Sequence, residues 1–270
     1  MERARIAHHP GEAMSQPTTA TGRSQDTSDV PRTTRVDYGL DAPGIVTGFA
    51  ALGTSLLVVG MALGHLASSR SLHRLGSMAS WMGISFAITS LLMIYSSRSG
   101  KLRARDRLLS SLDFRGDETV LDVGCGHGLL LVGAAKHLST GRAIGIDLWS
   151  ARDQADNSAA AALANADAEG VRDRVEVRDG DMRDLPLPDA SVDLVVSSLA
   201  IHNLPTIADR ERAIAEIARV LRPRGIVALI DIAHVGEYAR ALHAHGCAVE
   251  QMGFVPTIFP PARELLARKR

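Results

Sequence analysis

Cysteine and aromatic residues are both scarce in this chain of 270 residues, of which aromatics make up 4%. The two cysteines, Cys125 and Cys247, have no metal-ligand spacing, so we expect reduced thiols in a cytosolic environment and no metal site. Lys plus Arg equals Asp plus Glu, at 30 each, so no excess positive charge points to nucleic acid. The scarcity of aromatics also argues against a base-stacking surface.

Charged residues are missing altogether from two long stretches, 42–64 and 75–97. Each is long enough for the roughly 20 apolar residues that a membrane-spanning helix needs. Because only a short polar link separates them, they predict a transmembrane helical hairpin with spans at about 43–65 and 75–96. The alternative is a pair of buried helices in a soluble protein, but such helices seldom lack charge for this long.

Glycines in these stretches predict how the two helices meet. The pairs Gly44/Gly48 and Gly60/Gly64 have the G-x-x-x-G spacing that permits close contact between helices in a membrane. The spacing makes close helix contact feasible, and the motif is a weak signal.

Basic residues crowd the exit of the second stretch and predict the orientation of the hairpin. They are Arg98, Lys101, Arg103, Arg105 and Arg107. Such a cluster stays cytoplasmic and lies against anionic lipid headgroups. Arg70 and Arg74, in the opposite link, partly oppose this orientation. Residues 1–41 are rich in Ser, Thr, Pro and Gly, and we expect a disordered cytoplasmic tail.

From about residue 102 onward, apolar strand-like runs alternate with helical patterns. This alternation predicts an α/β domain with a doubly wound, mostly parallel seven-stranded sheet, covered by helices on both faces. The last two runs have no helix between them, so we expect one antiparallel strand at the edge of the sheet. The domain occupies residues 98–270 and follows the hairpin at 42–97.

The clearest motif of the domain is the stretch 120–130, VLDVGCGHGLL. A short apolar strand breaks into glycines at alternate positions, Gly124, Gly126 and Gly128, and then resumes as a helix. At such a turn a ligand can approach outward-pointing backbone N–H groups beside the positive end of a helix dipole. Asp122 can accept hydrogen bonds from the ligand or order the loop. A dinucleotide site has the different spacing G-x-G-x-x-G, and a purely structural turn is the other alternative.

This acid–glycine pattern resembles motif I of the class I S-adenosylmethionine-dependent methyltransferases. Asp147 ends the next strand, where an acid can bridge two ribose hydroxyls, as it also does in NAD folds. Asp181 and Met182 follow the third strand, where the family has an acid and a hydrophobic residue that meet the adenine. The turn 221–225, LRPRG, is similar to the family's turn before strand five, with Arg224 replacing a glycine. The resemblance covers about residues 102–270 and implies the Rossmann-like methyltransferase fold.

The resemblance also implies a site for S-adenosylmethionine at the carboxyl edge of the sheet. The methionine and ribose would lie by Asp122 and the glycines, the ribose on Asp147, and the sulfonium near Ser197 or Ser198. We expect Trp149 to pack near the ribose or adenine. The cofactor-binding residues that follow are Asp122, Gly124, Cys125, Gly126, Gly128, Asp147, Leu148, Asp181, Met182 and Ser198.

The acceptor side is much less marked in the sequence. His202 leaves the fourth strand toward the place of an acceptor, and its imidazole can take a proton near neutral pH, which makes it a candidate general base. A capping or packing role for His202 is an equally good interpretation. Asn203 could hydrogen bond to the acceptor or the methionine, and Asp231 could line the acceptor pocket or orient a neighbour.

The combined expectation is a membrane-anchored methyltransferase whose catalytic domain is cytoplasmic; the oligomeric state stays open. Anchoring favours an acceptor in or near the bilayer, such as a lipid or another hydrophobic metabolite. One alternative is methyl transfer to a soluble small molecule, and another is a non-catalytic module that binds the cofactor or a membrane partner. A nicotinamide oxidoreductase is disfavoured by the glycine spacing.

Overall fold

A computed structural model describes residues 36–66, 68–150 and 156–270. Two long helices come first, α1 (Pro43–Leu66) and α2 (Arg70–Tyr95). A π-helical turn (Ser96–Gly100) joins α2 to α3 (Lys101–Ser110), so a helical rod runs from the hairpin into the α/β domain. We predict a disordered tail at residues 1–41, and residues 1–35 of it lie outside the described part of the chain.

Small residues line the contact between α1 and α2. A Cβ on Gly60 would lie 2.6 Å from the carbonyl oxygen of Gly76, so the helices are in backbone contact there. Ser90 donates from Oγ to the carbonyl of Val46 at 3.1 Å. The contact residues recur every seven positions, the period of a left-handed helix pair. They are Val46, Gly53 and Gly60 on α1, opposite Ser90, Gly83 and Gly76 on α2.

Of the four glycines in the two G-x-x-x-G pairs, Gly60 lies in this contact and the other three have open space at the Cβ position. A Cβ on Gly44, Gly48 or Gly64 would meet no atom within 4 Å, because these glycines lie off the seven-residue stripe. The link between the helices is also shorter than expected. Arg70 and Arg74 belong to the first two turns of α2.

Two members of the basic cluster point into the protein, which corrects the expectation that the whole cluster lies against lipid. Lys101 is buried and donates from Nζ to the carboxylate of Asp41 at 3.0 Å and to the carbonyl of Tyr38 at 2.7 Å. Arg105 is also buried, with its guanidinium over the Tyr38 ring. These contacts fasten the segment before α1 to α3. The exposed members are Arg98, Arg103 and Arg107.

The α/β domain is a seven-stranded sheet in the order β3-β2-β1-β4-β5-β7-β6, which confirms the predicted fold class. The strands are β1 (Thr119–Val123), β2 (Arg142–Asp147), β3 (Val175–Asp179), β4 (Val192–Ser198), β5 (Leu221–Asp231), β6 (Cys247–Val255) and β7 (Ala262–Lys269). The helices between them are α4 (Leu129–Ala135), α5 (Ala159–Ala168), α6 (Ile207–Val220) and α7 (Val235–Ala244). The near-continuous apolar runs of β1 and β4 are buried because both faces of the sheet are covered. β1 pairs in parallel with both β2 and β4, so the strand order reverses there and opens a crevice at the carboxyl edge.

The antiparallel strand is not at the edge of the sheet, as the sequence led us to expect. β7 runs antiparallel between β5 and β6, and β6 is the edge strand. The crossover through α7 places β6 one strand away from β5, and the returning β7 fills the gap between them.

Candidate active site

The glycine turn between β1 and α4 has a backbone that L side chains rarely adopt. Gly124, Gly126 and Gly128 have φ values of 70°, 49° and 81°. A Cβ on Gly124 would collide with the side chain of Ala200, so glycine is required there by space as well as by conformation. The turn is held to the sheet by the N–H of Gly124, which donates to the carbonyl of Ile146 at 2.8 Å.

Asp122 is the buried acid beneath this turn. Its Oδ2 accepts from the backbone N–H of Leu131 in the first turn of α4 at 2.8 Å, so the carboxyl ties β1 to the helix. Burial raises the pKa of Asp122 to about 8, and the charge of Asp147 adds to the rise, while the Leu131 N–H opposes it. The carboxyl of Asp122 is therefore largely protonated near neutral pH.

Asp147, at the end of β2, orders the rim of the same turn. Its Oδ2 accepts from the N–H of Gly126 at 2.8 Å, and its Oδ1 accepts from the N–H of Trp149 at 2.6 Å. The indole N–H of Trp149 donates to Asp179 at 2.6 Å, which fixes the aromatic ring at the end of β3. One carboxylate thus organises the loops that follow β1 and β2.

A cavity of about 810 Å³ opens above these residues at the carboxyl edge of the sheet. The structure brings most of the residues expected to bind cofactor to its wall: Asp122, Gly124, Cys125, Gly126, Asp147, Leu148, Met182 and Ser198. The candidate base His202 lines it too. The Cys125 thiol is buried, and burial raises its pKa well above the ordinary value, so it lines the cavity as a neutral group.

Two of the ten residues expected to bind the cofactor do not line the cavity, and neither do Ser197 and Trp149, which were expected beside it. Gly128 caps α4 instead, and it packs against Val132 and Ala162. Asp181 is gripped by the guanidinium of Arg183, whose Nη2 lies 2.7 Å from Oδ2. Hydrogen bonding to Arg183 lowers the pKa of Asp181, so its carboxylate is charged and already partnered.

His202 stands beside a buried acid. Its Nδ1 lies 2.6 Å from Oδ1 of Asp231, an ion-pair distance, although the N–H direction is poorly aligned for a hydrogen bond. Oδ2 of Asp231 accepts from the backbone N–H of His202 at 3.1 Å and from the hydroxyl of Tyr238 at 3.2 Å. Asp231 therefore fixes the backbone of His202 and lies against the Nδ1 side of its imidazole. With Nδ1 turned to the acid, Nε2 is the ring nitrogen left to the cavity.

Sequence reasoning missed the contribution of the hairpin to this cavity. Ile45 and Phe49 of α1 and Thr89 and Met93 of α2 line it. The residues 258–260, in the loop between β6 and β7, line it as well. Apolar residues in a charge-free stretch give no sign of whether they face lipid, a partner helix or a ligand, so no signal in the sequence marks them.

The α/β domain is similar to domains of known proteins. Residues 121–229 match a family model described as a methyltransferase domain. The 27-O-demethylrifamycin SV methyltransferase of Amycolatopsis mediterranei is 34% identical over 151 residues, which are 56% of this chain and 52% of that protein. The chain spans about half the length of the curated relatives it matches.

Solved structures share the fold. A S-adenosylmethionine-dependent methyltransferase from Aquifex aeolicus is similar over 67% of this chain and 98% of its own length, with a TM-score of 0.53 and 22% identity. The [4+2]-cyclase SpnF is similar over 64% of this chain and 82% of its own, with a TM-score of 0.54 and 20% identity. Because the same fold carries a cyclase, the reaction has to be argued from the site.

Proposed function

Because this chain carries a class I S-adenosylmethionine-dependent methyltransferase domain, we propose that it transfers a methyl group from S-adenosylmethionine to a small-molecule acceptor at a membrane surface. One observation carries this proposal. The glycine turn, Asp122 and Asp147 line the same cavity as His202, whose Nδ1 lies beside the buried Asp231 behind the cavity wall, so the cofactor residues and a base face the same space.

The residues of the turn fit the cofactor. The positive φ values and the missing Cβ of Gly124 let a ligand approach the backbone closely. Asp147, at the end of β2, has the position and the acceptor oxygens for ribose hydroxyls, and Asp122 can accept from the ammonium group of the methionine part. Bound there, S-adenosylmethionine supplies a methyl group that leaves sulfur when an acceptor lone pair forms the new bond, while the old C–S bonding pair stays on sulfur.

The chain's own task is then to orient the acceptor, exclude water and remove a proton. The sulfonium is already a strong electrophile, so alignment of the acceptor with the methyl group is the main requirement. His202, held by Asp231, accepts the acceptor's proton at Nε2 and passes it to solvent. Such general-base help contributes typically about 10²- to 10⁴-fold.

The hairpin supports placement at a membrane. α1 and the rod formed by α2 and α3 contain helices long and apolar enough to cross a bilayer, and only 17% of the most apolar window of each is buried. A helix in the core of a soluble protein would be mostly buried. With the exposed Arg98, Arg103 and Arg107 at its exit, the hairpin holds the domain on the cytoplasmic side.

Binding measurements test the cofactor assignment. We expect isothermal titration of the full-length protein in detergent to show tighter binding of S-adenosylhomocysteine than of NAD. Asp147→Asn should weaken S-adenosylhomocysteine binding about tenfold or more, since a hydrogen bond to a charged group is worth about 1.5–3 kcal/mol. Asp173→Asn, which changes an exposed carboxylate before β3, is the matched control and should leave binding unchanged. Tighter binding of NAD would overturn the assignment.

Turnover requires a separate measurement. Membranes that contain the protein are incubated with S-adenosylmethionine labelled in the methyl group and with a total metabolite and lipid extract. Label in a product that depends on the protein is the expected result. Binding of S-adenosylhomocysteine without any transferred label would favour the non-catalytic alternative.

A further inference from the structure

The cavity that holds the candidate active site continues from the glycine turn to the hairpin. Four of its lining residues belong to the two long helices: Ile45, Phe49, Thr89 and Met93. In each helix the two residues are four positions apart and therefore lie on one face. One wall of a cavity in the α/β domain is thus supplied by the hairpin itself.

This wall reaches well into the apolar part of the hairpin. Phe49 lies six residues from the start of α1 at Pro43, and Thr89 lies six residues from the end of α2 at Tyr95. At 1.5 Å per residue, both are about 9 Å along their helices. With Pro43 and Tyr95 placed at the boundary of a hydrocarbon core about 30 Å thick, that depth is the level of lipid acyl chains. Ile45 is 52% exposed, so the apolar end of the cavity is accessible from the hairpin surface.

The loop between β6 and β7 forms the neighbouring wall. Its residues 258–260, with the sequence IFP, line the cavity. The N–H of Phe259 donates to Oγ of Ser96 at 2.9 Å, and Gly100 packs so closely on Thr257 that a Cβ would collide with the Thr257 carbonyl. The loop and the end of α2 are therefore one unit, and the apolar space beside them is a fixed feature of the fold.

The other end of the cavity is polar. Ser198, His202 and Asn203 line it near the glycine turn. With S-adenosylmethionine at the glycine turn, an acceptor that fills the rest of the cavity needs a polar head with a removable proton at this end and an apolar chain along Ile45, Phe49 and the loop. The hairpin side also carries Ser96, Ser97 and the Lys101–Asp41 ion pair, whose charges are already paired with each other. A water-soluble metabolite would leave the apolar surface of Ile45, Phe49 and Met93 uncovered.

We propose that the methyl acceptor is an amphiphile dissolved in the bilayer, with a hydroxyl-bearing head and a long apolar chain, which reaches the site past the exposed side chain of Ile45 on α1. The chain lies against the hairpin while the head meets His202. This inference rests on the proposed function and names the substrate class of the same site. The hydroxyl oxygen gains the methyl group, and its proton goes to His202.

Photocrosslinking of the full-length protein in phosphatidylcholine vesicles tests this assignment. The probe is a C16 alkylphenol with a diazirine in the middle of its chain, and the readout is the crosslink to residues 258–260, mapped by mass spectrometry. Ile45→Trp narrows the apolar end of the cavity. Leu91→Trp is the matched control, because Leu91 lies at the same depth of the hairpin, is 65% exposed and does not line the cavity.

We expect Ile45→Trp to lower the crosslink to residues 258–260 at least tenfold and Leu91→Trp to leave it unchanged. S-adenosylhomocysteine should bind the unmodified protein and both variants equally well. Equal crosslinking in all three proteins, or none at residues 258–260, would overturn the amphiphile assignment while leaving the cofactor site intact. If the unmodified protein does not bind S-adenosylhomocysteine, the proposed function fails, and the identification of the ligand as a methyl acceptor fails with it.

Discussion

Binding of the cofactor should take a proton from Asp122. In the free protein, burial raises the pKa of this carboxyl to about 8, so it is mostly protonated at pH 7. A carboxylate that accepts from the ammonium group of the methionine must be ionised. Below pH 8 the protein therefore loses a proton on binding, and the affinity should rise about tenfold for each pH unit.

The magnitude follows from the two protonation states. With a pKa of about 8 in the free protein and an ionised carboxylate in the complex, the affinity should rise about 75-fold between pH 5.5 and pH 7.5. At 1.36 kcal/mol for each factor of ten, this is about 2.6 kcal/mol of binding free energy. The amino group of the cofactor, with an ordinary α-amino pKa of about 7.7–8.0, stays largely protonated over this range and adds little.

Isothermal titration with S-adenosylhomocysteine at pH 5.5, 6.5 and 7.5 measures this dependence directly. Repeating the titration at pH 7 in buffers of different ionisation enthalpy should show the release of about 0.9 proton. Asp122→Asn should bind more weakly at pH 7.5 and lose this pH dependence. An equal slope in the variant and the unmodified protein would refute the role of Asp122.

Three further predictions concern the base, the hairpin and the membrane. His202→Ala should lower the single-turnover methylation rate by about 10²-fold or more with S-adenosylhomocysteine binding unchanged; an unchanged rate would remove His202 as the base. Gly60→Leu should lower the free energy of unfolding of the full-length protein in detergent by about 1–3 kcal/mol, because the new Cβ would meet the Gly76 carbonyl. Gly64→Leu, one turn away with open space, should be neutral, and equal loss in both would contradict the packing. Washing membranes at high salt and then at carbonate pH should leave the protein in the pellet, whereas release would indicate peripheral association.

The sequence predicted those parts of the site that depend on neighbouring residues in the chain. A strand followed by glycines and preceded by Asp122 is a local pattern, and the sheet order then brings the end of β2 with Asp147 to the same edge. The position of a side chain that binds a residue far away in the sequence could not be predicted in this way. Lys101 looks like a lipid-facing cation until Asp41, sixty positions earlier in the chain, is known to lie beside it.

The partner of Asp181 and the cavity residues of the hairpin could not be predicted for the same reason. Arg183 could as well have been solvated, but it grips Asp181, the acid expected at the adenine. Ile45 and Phe49 belong to a stretch whose composition is equally suited to lipid, helix or ligand contact. Their place in the cavity wall depends on how the hairpin is seated on the domain, which hydrophobic patterning does not encode.

The continuity of α2 and α3 has a mechanical consequence. A helical rod from Arg70 to Ser110, gripped at its π-helical turn by the loop before β7, acts as a stiff strut, whereas a flexible tether would let the domain tumble. If the hairpin spans a bilayer as proposed, the crevice at the carboxyl edge of the sheet is held at a set height and tilt above the lipid headgroups, and the encounter with a bilayer-dissolved acceptor becomes a search in a plane. Lengthening the strut by a single residue would turn the crevice about 100° around the helix axis relative to the hairpin.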